Sequence, residues 1–210
     1  MGRFHKICTL GNHSGNNYSS NLGCNIIIKI MIIGSIKEDL STEKRVSLTP
    51  ETAKNIIGLG LKICIEKNYA SHIGIKDDEF KKVGVEIKNS SVEVFNSCNL
   101  LTRVNCPSDE EIKNLKEKTF VIGMLNPSQN KKKIDEMTKK NISALSLELL
   151  PRITRAQSMD VLSSQSNLAG YRAVIESIFE FEKAIPMMMT AAGTVPAAKI
   201  LVIGAGVAGL

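Results

Sequence analysis

The chain has 210 residues, a formal net charge of +6, 43% hydrophobic residues and 23% charged residues, as is typical of a soluble globular protein. The positive charge comes from scattered lysines rather than a basic stripe interleaved with aromatic residues, so the sequence argues against a nucleic-acid-binding protein. The five cysteines form no C-x-x-C pair and the three histidines do not sit beside a cysteine pair, so we predict reduced thiols and no metal site.

The N-terminal region of the chain shows no hydrophobic period. Residues 1–25 are rich in Asn, Ser and Gly, so we expect residues 1–30 to be disordered or an over-called leader before a true start at Met31. The longest apolar run, 26–36 around Lys29, is too short to cross a bilayer, and no apolar stretch of a secretory signal follows the basic N-terminus. We therefore expect no membrane span in this chain.

From Ile32 onward, strand patterns alternate with helix patterns. Thr49 is a predicted N-cap before Pro50, and Ser108 with Glu111 forms a predicted capping box. The predicted strands are 32–36, 61–66, 85–87, 100–104, 119–124 and 142–147, and the predicted helices are 50–58, 77–82, 92–96, 109–116 and 130–140. This alternation predicts an α/β fold whose mostly parallel sheet is flanked by helices on both faces.

A polar stretch at 152–170, RITRAQSMDVLSSQSNLAG, separates this regular region from the rest of the chain. So many hydrogen-bonding side chains between core-forming elements indicate a binding loop. A helix is predicted over 166–183, and we expect its apolar stripe to pack in a core. The stripe consists of Leu168, Tyr171, Val174, Ile175, Ile178 and Phe181.

After an irregular connection, a predicted strand at 199–203 leads into Gly204, Gly206 and Gly209. The spacing is G-x-G-x-x-G, in which the glycines allow a tight turn and let the backbone approach a pyrophosphate. The helix that should follow, and the acidic residue expected about 20 residues further on, lie beyond Leu210. We therefore expect a truncated dinucleotide-binding domain whose site is incomplete in this chain alone.

Three motifs together resemble one family. The run KEDLSTEKRVSLTP is similar to the opening of the alanine dehydrogenase/transhydrogenase superfamily. The runs RITRAQSMDVLSSQSNLAGYRAV and MMMTAAGTVPAAKILVIGAGVAGL resemble the NAD(H)-binding alpha subunits (domain I) of proton-translocating nicotinamide nucleotide transhydrogenases. The similarity covers about 31–210. It implies an α/β N-terminal domain at 31–165, a bridging helix at 166–185, and the start of a Rossmann-type NAD-binding domain at 186–210.

The resemblance implies hydride transfer between NADH and NADP⁺, with NAD(H) as the cofactor here and NADP(H) on a partner subunit. In this interpretation Gln157 and Asp160 are the catalytic residues, and they contribute positioning rather than acid–base chemistry. The cofactor-binding residues implied by the resemblance are Arg152, Ile153, Thr154, Arg155, Gln157, Asp160, Ser163, Val202, Gly204, Gly206, Val207, Ala208 and Gly209.

The resemblance also implies partners: the membrane and NADP-binding beta component, the rest of the alpha subunit, and a second alpha subunit in a homodimer. The chain would then be cytoplasmic and peripheral to the inner membrane through those subunits. One alternative is a non-enzymatic remnant or assembly module of the complex. Another is an alanine dehydrogenase, whose substrate lysine and histidine are absent from the matching runs TRVNCPSDEE and GMLNPSQN. We expect this fragment alone to be inactive.

Overall fold

The computed structural model describes residues 31–210, so the expectations for residues 1–30 lie outside the described residues. Six parallel strands form one sheet in the spatial order β3-β2-β1-β4-β5-β6. The strands are β1 (Ile32–Ser35), β2 (Lys62–Glu66), β3 (Glu86–Lys88), β4 (Leu100–Asn105), β5 (Phe120–Met124) and β6 (Ser143–Ser146). The predicted α/β fold with a parallel sheet is confirmed.

Helices connect the strands, as a parallel sheet requires. They are α1 (Pro50–Gly58), α2 (Asp77–Lys82), α3 (Ser91–Ser97), α4 (Asp109–Asn114) and α5 (Lys131–Lys139). The predicted caps are present: Thr49 accepts a hydrogen bond from the amide of Thr52, and Ser108 accepts one from the amide of Glu111. Because each cap satisfies amides that have no partner inside the helix, it fixes where the helix begins.

The core lies on both faces of the sheet. Successive residues of a strand point to opposite faces, and in β2 Ile63 and Ile65 pack on one face while Cys64 packs on the other. Phe80 from α2 covers the first face, and Phe95 from α3 covers the second. Both aromatic side chains are almost fully buried. The prediction of a sheet covered by helices on both faces is therefore confirmed.

The long helix α6 (Val161–Phe181) begins five residues earlier than its sequence predicted, because Asp160 caps it. The prediction that its apolar stripe packs in a core is wrong: α6 has no buried residue, and Tyr171 and Phe179 are 69% and 75% exposed. The periodic pattern identified the helix correctly. No element within 31–210 covers that apolar face, so the stripe remains exposed.

The last part of the chain also differs from expectation. Residues predicted as an irregular connection form an antiparallel hairpin of β7 (Met188–Thr190) and β8 (Gly193–Val195). The strand predicted at 199–203 is not formed, and Ile203 is 93% exposed. A strand needs a neighbour for its backbone hydrogen bonds, and residues 31–210 offer this segment none. No helix of residues 31–210 has the length and apolar character needed to cross a bilayer.

Candidate functional site

The polar stretch folds into two short pieces of ordered structure. A 3₁₀ helix, Thr154–Met159, follows the turn after β6 and leads directly to the start of α6. It lines a cavity of about 250 Å³. The sequence predicted a loop there, and the structure gives a 3₁₀ turn whose polar side chains share one concave surface. The lining residues are Arg152, Ile153, Thr154, Ala156, Gln157 and Asp160.

Asp160 connects this cavity to the helix. Its Oδ1 accepts the amide of Ser163 at 2.9 Å, and its Oδ2 accepts the Ser163 hydroxyl at 2.6 Å. These two hydrogen bonds, with the nearby charge of Arg152, hold the pKa of the Asp160 carboxyl below its ordinary value. Asp160 is therefore ionised at neutral pH and acts as the N-cap of α6. Each carboxylate oxygen can accept further hydrogen bonds.

The structure brings together most of the predicted cofactor-binding residues of this stretch. Arg152, Ile153, Thr154, Gln157 and Asp160 share the cavity, and Ser163 reaches it through Asp160. Arg155 is exposed and does not line it. The sequence reasoning missed Ala156, which is 6% exposed and anchors the 3₁₀ turn. A small apolar residue between Arg155 and Gln157 was the available signal.

The glycine-rich segment lies apart from that cavity. Gly204 has a φ of +100°, and the amide of Gly209 bonds the carbonyl of Gly206 at 3.0 Å, which closes a tight turn. A Cβ on Gly209 would collide with the carbonyl oxygen of Gly204, so the turn requires glycine there. Val202, Val207 and Ala208 belong to the same exposed segment. The Ala208 carbonyl lies against Gly170 of α6.

A second cavity, of about 450 Å³, lies beside the start of α6. Arg45, in the loop after β1, spans its rim: Nη1 donates to Oε1 of Gln165 at 2.9 Å. Sequence reasoning gave Arg45 no site role, although the residue belongs to the ExRV run. The apolar lining comes from Val46, Val104, Met124, Leu147, Val161 and Leu168.

A third, more polar cavity, of about 540 Å³, opens at the carboxyl ends of β1 and β4. This is the point at which the strand order reverses direction, where open α/β sheets commonly bind ligands. Here the buried pair of Glu38 and Arg103 forms part of the wall. Lys37, Lys133, Asp39, Glu66 and Glu111 add charges of both signs, so the lining selects no one class of ion. Residues 31–210 contain no cluster of three or more His, Cys, Asp or Glu side chains placed to hold a metal ion.

Two family descriptions match this chain in succession. "Alanine dehydrogenase/PNT, N-terminal domain" matches residues 34–169, and "Alanine dehydrogenase/PNT, C-terminal domain" matches residues 173–210. The first match covers the whole parallel sheet and the cavity at 152–160. The second covers most of α6, the hairpin and the glycine-rich turn.

Individual relatives agree with this assignment. An NAD(P) transhydrogenase alpha subunit of Rhodospirillum rubrum is 42% identical over 185 residues, which cover 86% of this chain and 48% of the relative. A solved transhydrogenase structure from Sinorhizobium meliloti is 43% identical with a TM-score of 0.80, covering 85% of this chain and 53% of that one. An alanine dehydrogenase of Methanococcus maripaludis is 26% identical, over 85% of this chain and 48% of the relative. The chain thus spans about half the length of these relatives.

Proposed function

The chain belongs to the alanine dehydrogenase/PNT family, and from that premise we propose that it supplies the N-terminal portion of the NAD(H)-binding component of a nicotinamide nucleotide transhydrogenase. In the proposed reaction a hydride passes between NADH and NADP⁺. The 42% identity to a transhydrogenase alpha subunit, against 26% to an alanine dehydrogenase, supports this branch of the family.

The observation that carries the proposal is the cavity formed by Arg152, Thr154, Gln157 and Asp160. At about 250 Å³ it is smaller than a typical ligand pocket of about 300–1,000 Å³, so it suits one end of a dinucleotide rather than the whole molecule. The Gln157 amide can both donate and accept, as the nicotinamide carboxamide does. Asp160 and Ser163 offer an acceptor and a hydroxyl for the ribose.

Positioning is the chemistry that we assign to these residues. The nicotinamide, when bound, supplies the hydride. The side chains of the chain then hold the ring at a fixed angle and distance, because a hydride passes directly between two rings only when they are closely aligned. We assign Gln157 to the face toward the second nucleotide, since it is exposed beside the cavity. Proton transfer by Asp160 forms no part of this proposal.

The glycine-rich turn is our proposed pyrophosphate end. Gly204, Gly206 and Gly209 form a tight turn with no side chains to block a phosphate, and Val202, Val207 and Ala208 flank it. The turn is exposed, and the cavity at 152–160 does not include it. We therefore propose that a second chain completes the dinucleotide site between these two segments. NADP(H) on another subunit, a homodimer of alpha subunits and attachment to the inner membrane through those partners belong to the same proposal.

A second candidate function follows from the exposed face of α6. An assembly module that binds no nucleotide would also need that apolar face to be covered by a partner. The alanine dehydrogenase alternative is less well supported, because Asn105 and Met124 end β4 and β5 in the runs where that branch has its lysine and histidine.

NADH binding tests the proposal. We would titrate the purified chain with NADH by fluorescence, first alone and then with a separately produced C-terminal half of the Rhodospirillum rubrum relative. Binding only in the mixture, lost in Gln157→Ala and kept in the matched control Gln129→Ala, would support a split transhydrogenase component. Binding by the chain alone would show that the site is complete. Failure to bind in both settings would favour the assembly module.

A further inference from the structure

Arg45 is held in place by its neighbour Glu43. Its Nε and Nη2 donate to the two carboxylate oxygens of Glu43 at 2.9 and 2.6 Å, and the Glu43 side chain is 10% exposed. Such a two-point contact fixes the plane of a guanidinium as well as its position. The third nitrogen, Nη1, is thereby aimed at Gln165, whose Oε1 it meets at 2.9 Å. This bond joins residues 120 positions apart.

The bond acts at the end of α6 that determines where the helix points. Every residue from Tyr171 to Phe181 is exposed, so packing along the far part of the helix does not hold it within residues 31–210. The first turns do have neighbours, since Val161 and Leu168 line the 450 Å³ cavity with Met124 and Leu147. A polar contact near this base controls how far the helix can rotate about its own axis.

Rotation of the helix start would move the cavity at 152–160. Asp160 caps α6 and also lines that cavity, and Gln165 lies five residues after it. We propose that Arg45 is a positioning residue: anchored by Glu43, it holds Gln165 and thereby fixes Asp160 and the 3₁₀ turn in place. Arg45 itself does not line the cavity at 152–160. The consequence for nucleotide affinity rests on the proposed function, whereas the consequence for local order does not.

Hydrogen exchange on the full chain tests the local order. We would compare the wild type with Arg45→Ala, Gln165→Ala and the double variant. We expect amides of 152–165 to exchange several-fold faster in each single variant, with no further increase in the double variant, because both substitutions remove the same bond. Arg45→Lys should lie between wild type and Arg45→Ala, since an ammonium cannot reproduce the fork. Arg172→Ala, which breaks the exposed pair with Glu176 on the same helix, is the control and should leave 152–165 unchanged.

Three results would overturn the proposal: unchanged exchange at 152–165, additive effects of the two substitutions, or an equal rise through β1–β6, which would indicate loss of stability alone. NADH titration with the added C-terminal half then separates the two ideas. A roughly tenfold weaker affinity in Arg45→Ala supports the link to the cavity, since small displacements of positioning groups have effects of this size. Equal affinities would break that link. If the wild type binds no NADH, the proposed function fails and the exchange result alone decides the role of Arg45.

Discussion

Arg103 and Glu38 form a buried, two-point ion pair at the carboxyl end of the sheet. Nε and Nη2 of Arg103 donate to the Glu38 carboxylate at 2.9 and 2.8 Å, and the two side chains are 5% and 4% exposed. Glu38 also accepts the amide of Val104, and Glu111 lies 2.7 Å from Nη1 of Arg103. The pair therefore ties the loop after β1 to β4 across the point where the strand order reverses.

Glu38→Gln should lower the free energy of unfolding by about 3 kcal/mol, because it leaves the buried Arg103 guanidinium with Glu111 as its one described carboxylate. Urea denaturation followed by circular dichroism measures this. The control, Asp78→Asn, breaks an exposed pair with Lys81 and should cost less than about 0.5 kcal/mol. Equal losses in the two variants would show that burial of the pair at Glu38 has no special effect.

Tyr69→Phe should cost about 1–3 kcal/mol. The Tyr69 hydroxyl accepts the amides of Ser47 and Leu48 at 2.9 and 3.1 Å, and its loss leaves both donors without that acceptor in a largely buried site. Tyr171→Phe removes a hydroxyl from a side chain that is 69% exposed, and its stability should match the wild type. Denaturation midpoints that agree among all three proteins would contradict this role of Tyr69.

Two buried thiols should make the protein less stable in alkali. Burial raises the pKa of Cys64 to about 12 and that of Cys98 to about 11, whereas an unfolded thiol has its ordinary pKa near 9. Above pH 9 the unfolded state loses these protons while the folded state keeps them, so the free energy of unfolding falls as pH rises from 9 toward 11–12. Denaturation at pH 8, 9, 10 and 11 measures the slope. A Cys64→Ala/Cys98→Ala variant with the same slope would assign it to other groups.

Gly34→Ala should destabilise the sheet by about 1–3 kcal/mol. A Cβ at Gly34 would lie 2.7 Å from Cβ of Cys98 and 2.8 Å from a methyl carbon of Val94, so α3 would have to move off β1. Gly58→Ala is the matched control, since a Cβ there meets nothing within 4 Å and should be neutral or slightly stabilising. A thermal unfolding comparison distinguishes them, and a Gly34→Ala midpoint at or above that of Gly58→Ala would refute the close contact.

Local patterns in the sequence were sufficient to predict the sheet domain. Thr49 and Ser108 carry their own capping partners within three residues, so the helix starts could be predicted from neighbours alone. The start of α6 was missed because its cap, Asp160, sits inside a polar stretch that is typical of a loop. The exposure of α6 could not be predicted from the sequence at all. An apolar stripe has the same period whether or not a partner element covers it.

The same distinction applies to the candidate site. Gln157 and Asp160 were found because they lie in one contiguous stretch, and the structure places them on one cavity. Arg45 was missed as a neighbour of that stretch, since its contact with Gln165 joins residues 120 positions apart and no local spacing signals it. The prediction for 199–203 was wrong for the opposite reason. Its sequence favours a strand, but a strand also depends on a pairing partner that lies elsewhere in a chain.

The strand order allows the sheet to assemble in the order in which the chain is synthesised. β2 adds to one edge of β1 and β3 adds to β2, after which β4 adds to the other edge of β1, followed by β5 and β6. Each new strand thus joins an edge that is still open, and none must be inserted between two strands already paired. Helices made between strands can cover each addition before the next emerges. A ribosome-bound chain would therefore expose one growing edge at a time on each side of β1.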